Sequence, residues 1–273
     1  MTMQSAPIVY LFHETSQLPS QRTFFEMVLG LPLIEVEPHL PHHRHGVVKY
    51  DAGNIVLSLN LTGPSRFATT ESDAIASLFA EAPAVPSVVD RLRSMPKLGV
   101  LRADDPFVLF TDRNGHHYRF VGREPPAPGG GTAPIVSRLH LCVQDLAATL
   151  EFYVRRLGLT LLDCSARRAV VATGSVDLEF EERALTVDGR HPRTSTSLVV
   201  FHTPDVEATT RALVSRGVVF RSQHAGTSEI GATIRFDDPS GHRLCLYQPS
   251  EECLTWGSGP KVMEIAAGRA LER

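Results

Sequence analysis

The sequence predicts an α+β protein of four βαβββ modules, paired two and two into curved mixed sheets. Three observations carry that prediction: an internal repeat, a proline–glycine break near the middle, and one element order that recurs along the chain. Phe24-Phe25-Glu26-Met27-Val28-Leu29-Gly30-Leu31 returns about 128 residues later as Phe152-Tyr153-Val154-Arg155-Arg156-Leu157-Gly158-Leu159. Asp112-Arg113-Asn114-Gly115-His116 returns as Asp238-Pro239-Ser240-Gly241-His242. A duplicated pattern means one structural unit used twice.

The break runs from Glu124 to Pro134 and reads Glu-Pro-Pro-Ala-Pro-Gly-Gly-Gly-Thr-Ala-Pro. Proline and glycine at that density hold neither a helix nor a central strand, so the stretch reads as a linker. The expected division is a first paired-module domain at 1–123, the linker at 124–134, and a second domain with a C-terminal extension at 135–273.

In the first half, Pro7 to Phe12 predicts a strand, Ser20 to Leu29 a helix, and Val47 to Tyr50 and Ile55 to Leu59 two strands. A strand at Ala74 to Phe79, a helix at Val85 to Met95 and strands at Phe107 to Thr111 and His117 to Val121 follow. In the second half Arg138 to Val143 alternates as a strand. Asp145 caps a helix that Gly158 ends. Short strands are expected at Leu159 to Leu162, Ala169 to Thr173 and Val176 to Phe180. The last module starts with a strand at Ser197 to Phe201 and a helix from Asp205 to Gly217. Strands at Val218 to Arg221, Ala232 to Phe236 and Arg243 to Tyr247 complete it.

Composition narrows the function. With 42% hydrophobic and 21% charged residues, 273 residues bury a full core. A net charge of −3 gives no general attraction to nucleic acid or anionic membrane. No apolar run is long enough to span a bilayer, and Met1-Thr2-Met3-Gln4-Ser5 gives no expectation of a secretion signal. Four cysteines without a paired spacing suit a reducing compartment, so the expected location is the cytoplasm. The expected state is a monomer or a homodimer.

Val143-x-Asp145-Leu146, Phe152-Tyr153-x-x-x-Leu157-Gly158 and Asp238-Pro239-Ser240-Gly241 resemble the vicinal oxygen chelate superfamily. That superfamily includes glyoxalase I, type I extradiol dioxygenases, and fosfomycin- and bleomycin-resistance proteins. The resemblance implies two domains of paired modules, each enclosing a cleft. It also implies metal ligands on the first and last strands of each module. The first-strand position, seven residues before the helix-starting Asp, falls on Arg138 and Leu198; the last-strand position falls on Glu179 and Cys245. Taking Glu14 as the first-half counterpart of Asp145 puts Pro7, Ser58 and Arg119 at the corresponding places, and the first strand of the second module puts Ser77 there. Glu179 alone keeps a family ligand. No cofactor is favoured on this pattern, and a displaced divalent ion on His140, Glu179 and Cys245 is the alternative.

Arginine supplies a fixed charge and a planar fork of donors for carboxylate, phosphate or enolate. The second half is therefore the expected working site, with Glu179 and His140 as proton-transfer groups and Arg138, Arg235, Cys245 and Arg119 holding substrate. A purely structural Arg138–Glu179 pair is the competing reading. The leading expectation is an enzyme without the family metal, doing proton-transfer, isomerisation or C–C bond chemistry on an oxygen-rich or aromatic metabolite. A metal-free binding protein that sequesters a drug or metabolite is the first alternative, and a metal-dependent dioxygenase or lyase with a displaced site the second. The cluster His39-Leu40-Pro41-His42-His43-Arg44-His45 reads as a solvated loop, and His116 and His242 as surface turn residues. The segment Glu251 to Ile265, with the single tryptophan Trp256, is expected to pack back across the second domain.

Overall fold

The computed structural model describes residues 3, 6–37, 46–62, 75–81, 84–104, 107–123, 134–183 and 196–268. The His39–His45 cluster and nearly all of the expected linker lie outside the described residues.

Four modules follow one another. The first has β1 (Ile8–Thr15), α1 (Leu18–Thr23) continuing into a wider helical stretch at Phe24–Leu29, then β2 (Leu33–Glu37), β3 (Val47–Asp51) and β4 (Val56–Leu61). The second has β5 (Ile75–Glu81), α2 (Ala84–Ser94), β6 (Gly99–Asp104), β7 (Phe107–Asp112) and β8 (His117–Arg123). The third has β9 (Ile135–Val143), α3 (Leu146–Leu150) continuing through Glu151–Arg156, then β10 (Thr160–Cys164), β11 (Arg168–Ala172) and β12 (Asp177–Glu182). The fourth has β13 (Ser197–His202), α4 (Val206–Val214), β14 (Gly226–Ser228), β15 (Gly231–Asp237) and β16 (Arg243–Pro249). A short turn of helix at Cys253–Thr255 leads to α5 (Gly259–Ala266).

Local sequence explains the helix ends. Asp145 Oδ1 accepts the Ala148 N–H at 2.9 Å and Asp205 Oδ1 the Ala208 N–H at 2.8 Å, satisfying donors that a helix start leaves open. Gly158 ends the third-module helix at φ +82°, a conformation that costs other residues about 1–2 kcal/mol. Phe24, Phe25, Phe152 and Tyr153 from the duplicated helices all enter the core. The duplicated turns are equally regular. Asp112 Oδ1 accepts the N–H groups of Asn114 and His116, and Asp238 Oδ1 those of Ser240 and His242.

The sheets correct the expectation of one paired sheet within each half. The first sheet runs β14-β15-β16-β13-β1-β4-β3-β2 and joins the fourth module to the first. The second runs β10-β11-β12-β9-β5-β8-β7-β6 and joins the third to the second. At the seams β1 lies antiparallel to β13 with Tyr10 opposite Val200, and β5 antiparallel to β9 with Ser77 opposite Arg138. The first strand of each module has one open edge that must find a partner. Alternation within a strand does not say which other strand that is.

Smaller departures have local causes. Strands β2 and β6 begin their modules' hairpins and carry little unbroken apolar sequence. Residues 218–221 contribute a single bridge, Phe220 to Phe236, in place of a strand. His116 and His242 are buried, not surface turn residues. His116 Nε2 contacts the Glu14 carbonyl at 2.7 Å and its ring stacks on His13 at 4.2 Å, while His242 Nδ1 contacts Asp238 Oδ2 at 2.7 Å. The C-terminal α5 packs Val262 and Ile265 against the cluster of Tyr10, Val56 and Val200, so it covers the first sheet where the first and fourth modules meet.

Candidate functional site

A cavity of about 340 Å³ opens on one face of the first sheet. Period-two alternation turns Tyr10 and Phe12 of β1, Val47 and Lys49 of β3, Val200 of β13, and Cys245 and Tyr247 of β16 to that face. Glu35 and Glu37 of β2 close one side, and Cys253, Trp256 and Ser258 of the C-terminal segment another. The cavity is within the ordinary size range for small-molecule sites and mixes aromatic walls with a few polar groups.

Lys49 is the polar centre. Its side chain is only 8% exposed, and Nζ lies 3.1 Å from Glu35 Oε2 and 2.6 Å from Glu37 Oε1. An ammonium has three donors, and among the described residues two acceptors are provided. The Tyr10 ring centroid is 6.0 Å from the charge, within reach of a cation–π attraction. Burial by itself would lower the Lys49 pKa, but Tyr10 and the two glutamates carry it above the usual lysine value. Glu35 Oε2 also accepts the Ser258 N–H at 3.1 Å, whereas its Oε1 is buried with no hydrogen-bond partner among the described residues.

Tyr10, Cys245 and Tyr247 hold their protons tightly. Burial pushes the Tyr10 hydroxyl up to about 12 and the Cys245 thiol up to about 11. Burial, with the Cys253 thiol 3.4 Å away, raises Tyr247 as well. Tyr10 shares a hydrogen bond with Ser258 Oγ at 2.8 Å, and Tyr247 donates to the Ile230 carbonyl at 2.8 Å. Cys245 is therefore a buried thiol, not a thiolate nucleophile.

The residues that the sequence singled out are divided between the sheets. Arg235 and Cys245 face each other across β15 and β16 and line the cavity. Arg119, Arg138, His140 and Glu179 lie on the second sheet. The expected single cleft of Arg138, His140, Glu179, Arg235 and Cys245 is therefore corrected: the third and fourth modules contribute to different sheets. On the second sheet Arg138 Nη1 and Arg168 Nε each lie 2.9 Å from the Glu179 carboxylate, and Arg119 Nη1 lies 3.9 Å away. Burial opposes ionisation of Glu179, but the hydrogen bond from Arg138 and the charges around it hold its carboxyl below the usual range. His140 Nε2 contacts Glu181 Oε2 at 3.0 Å. Burial, then the Arg119 charge, lowers the His140 pKa to about 4, so it is neutral at pH 7. Three guanidinium groups converge on one carboxylate, the arrangement of the competing structural reading.

The displaced metal set does not assemble. His140 and Glu179 are register partners on β9 and β12, but Cys245 belongs to the other sheet. Among the described residues no group of three or more His, Cys, Asp or Glu is placed to hold an ion. At the cavity the first- and last-strand positions carry Tyr10, Ser58, Leu198 and Cys245, a donor set that does not fit the hard or borderline divalent ions.

Tyr10, Glu35, Glu37, Lys49, Tyr247 and Trp256 were not identified as site residues from sequence. The repeat carried a usable signal. The offset that relates Phe24 to Phe152 also relates Gln17, the observed residue before α1, to the capping Asp145, and therefore Tyr10 to Arg138. Counting from Glu14 moved the first-strand position three residues too early, to Pro7.

Comparison with known proteins agrees with this architecture. Residues 135–246 match the family model of the Glyoxalase/Bleomycin resistance protein/Dioxygenase superfamily. A "putative dioxygenase" of Bacillus subtilis subsp. subtilis str. 168 superposes with a TM-score of 0.69 at 13% identity, covering 97% of this chain and 96% of that one. Glyoxalase I of Zea mays superposes with a TM-score of 0.69 at 16% identity, covering 89% of this chain and 92% of its own. At such identities the likeness establishes the fold. No curated protein sequence matches the chain. No helix among the described residues is long and apolar enough to cross a membrane.

Proposed function

We propose that this chain, whose residues 135–246 match the glyoxalase/bleomycin resistance/dioxygenase superfamily model, binds in its first-sheet cavity a small aromatic molecule carrying a ring oxygen, and holds it without a metal. The observation that carries this reading is the aromatic wall of Tyr10, Phe12, Tyr247 and Trp256 around a buried lysine with two acceptors for its three donors among the described residues. A ring hydroxyl suits that end of the cavity, since it accepts from Lys49 and can donate to a glutamate. A carboxylate ligand is disfavoured there, because Glu35 and Glu37 flank the lysine.

Holding fits the proton chemistry better than turnover. Tyr10, Tyr247, Cys245 and Lys49 are all displaced away from neutrality, so none is poised to exchange a proton at pH 7. One observation favours a second reading, an enzyme using proton transfer: Glu35 Oε1 is buried at the cavity with no hydrogen-bond partner among the described residues. The arginine–glutamate network on the second sheet is assigned to stability.

Calorimetric titration with 1-naphthol, naphthalene and 1-naphthoate tests the reading. The expected order is 1-naphthol tightest, naphthalene weaker and 1-naphthoate weakest. Absence of binding by all three, or preference for the carboxylate, overturns it. Recovery of the bound ring compound chemically altered would establish the enzymatic reading instead.

A further inference from the structure

We infer that the connection Glu251–Ser258 is a flap over the cavity, latched at Ser258 by Tyr10 and Glu35, and that its release admits the ligand. The connection lies outside the four modules, between the end of β16 and the start of α5. It supplies Cys253, Trp256 and Ser258 to the cavity wall. Its two buried anchors are Cys253 and Ser258; Glu251, Glu252, Thr255, Trp256 and Gly257 are exposed. A segment that buries few apolar contacts opens locally at low cost. The neighbouring α5 differs, since Val262 and Ile265 hold it to the sheet.

The latch is polar and convergent. Ser258 Oγ pairs with the Tyr10 hydroxyl at 2.8 Å, and its N–H donates to Glu35 Oε2 at 3.1 Å. That oxygen also receives Lys49, so the closed flap and the polar end of the cavity share one carboxylate. Gly257 makes the approach possible: at φ +55° a Cβ would stand 2.5 Å from Glu35 Oε2. A ligand oxygen on Lys49 therefore binds the direct partner of the carboxylate that holds the flap shut.

Two thiols report opening without any ligand. Cys245 and Cys253 are buried in the cavity wall, Cys142 is buried on the second sheet, and Cys164 is exposed. In a Cys164→Ser background, alkylation by N-ethylmaleimide is followed at each cysteine by peptide mass spectrometry. Tyr10→Phe and Ser258→Ala each remove the side-chain half of the latch and should speed labelling of Cys245 and Cys253 by about fivefold, the worth of one net hydrogen bond, with Cys142 unchanged. Unchanged rates in both variants, or an equal rise at Cys142, overturn the latch. The inference rests on the cavity being the binding site, and a second arm separates the two. Saturating 1-naphthol should slow labelling of Cys245 and Cys253 in the Cys164→Ser protein. If 1-naphthol has no effect while the latch variants still accelerate labelling, the latch stands and the ligand class falls.

Discussion

Lys49 Nζ reaches Glu35 Oε2 at 3.1 Å from a strand that is buried at this position, and this pair organises the cavity more than any residue on the second sheet. Removing the ammonium leaves the largely buried Glu35 carboxylate uncompensated beside the partly exposed Glu37. Lys49→Met should therefore lower stability by about 3 kcal/mol, the usual cost of breaking a buried pair. It should also weaken 1-naphthol binding at least tenfold. Urea denaturation and calorimetry check the two effects separately.

Glu179 serves three arginines at once, so its loss should be felt as stability rather than as binding. Glu179→Gln should cost about 2 kcal/mol, moderated because Arg168 and Arg138 are partly solvated. Affinity for 1-naphthol should be unchanged. A selective loss of affinity with normal stability would return the working site to the second sheet.

Buried neutral histidines make the protein acid-sensitive. His140 is lowered to about 4, and burial, then the nearby His116, hold His13 well below the usual histidine value. A group whose folded pKa is depressed binds fewer protons folded than unfolded. Its contribution is full above about pH 6.5 and is lost as pH falls toward the folded value. For His140 the loss between pH 6.5 and 4 amounts to about 3 kcal/mol at most. Urea midpoints should fall steadily over that window, and His140→Gln should flatten the fall.

Gly257 tests the close approach of flap and sheet. Gly257→Ala adds a Cβ against Glu35 at a positive φ, and should cost about 1–2 kcal/mol while raising thiol labelling at Cys253. Asn at the same position, which tolerates the left-handed conformation but not the contact, should relax the backbone cost alone.

The parts of this structure that depend on near neighbours were legible in the sequence. Asp145 and Asp205 cap helices as their spacing predicts, and the repeated Asp112 and Asp238 turns fold alike. The stretch that matches the superfamily model, residues 135–246, contains most of those same short motifs. What could not be read was pairing at long range. β1 meets β13 across about 190 residues, and nothing in the alternation of either strand names its partner. Because of that choice Arg138 and Cys245 belong to different sheets, and the expected cleft came apart. The acidic side of the cavity was hidden for a different reason. Glu35 and Glu37 lie on an edge strand, where charged residues are ordinary sheet protection.

The central claim is that ligand occupies the first sheet and not the second. Trp256 is the only tryptophan and lines the cavity, so its fluorescence reports occupancy directly. Titration with 1-naphthol should quench it saturably in the natural protein and in Arg138→Ala, and only weakly in Lys49→Met. A response abolished by Arg138→Ala and intact in Lys49→Met would contradict the account.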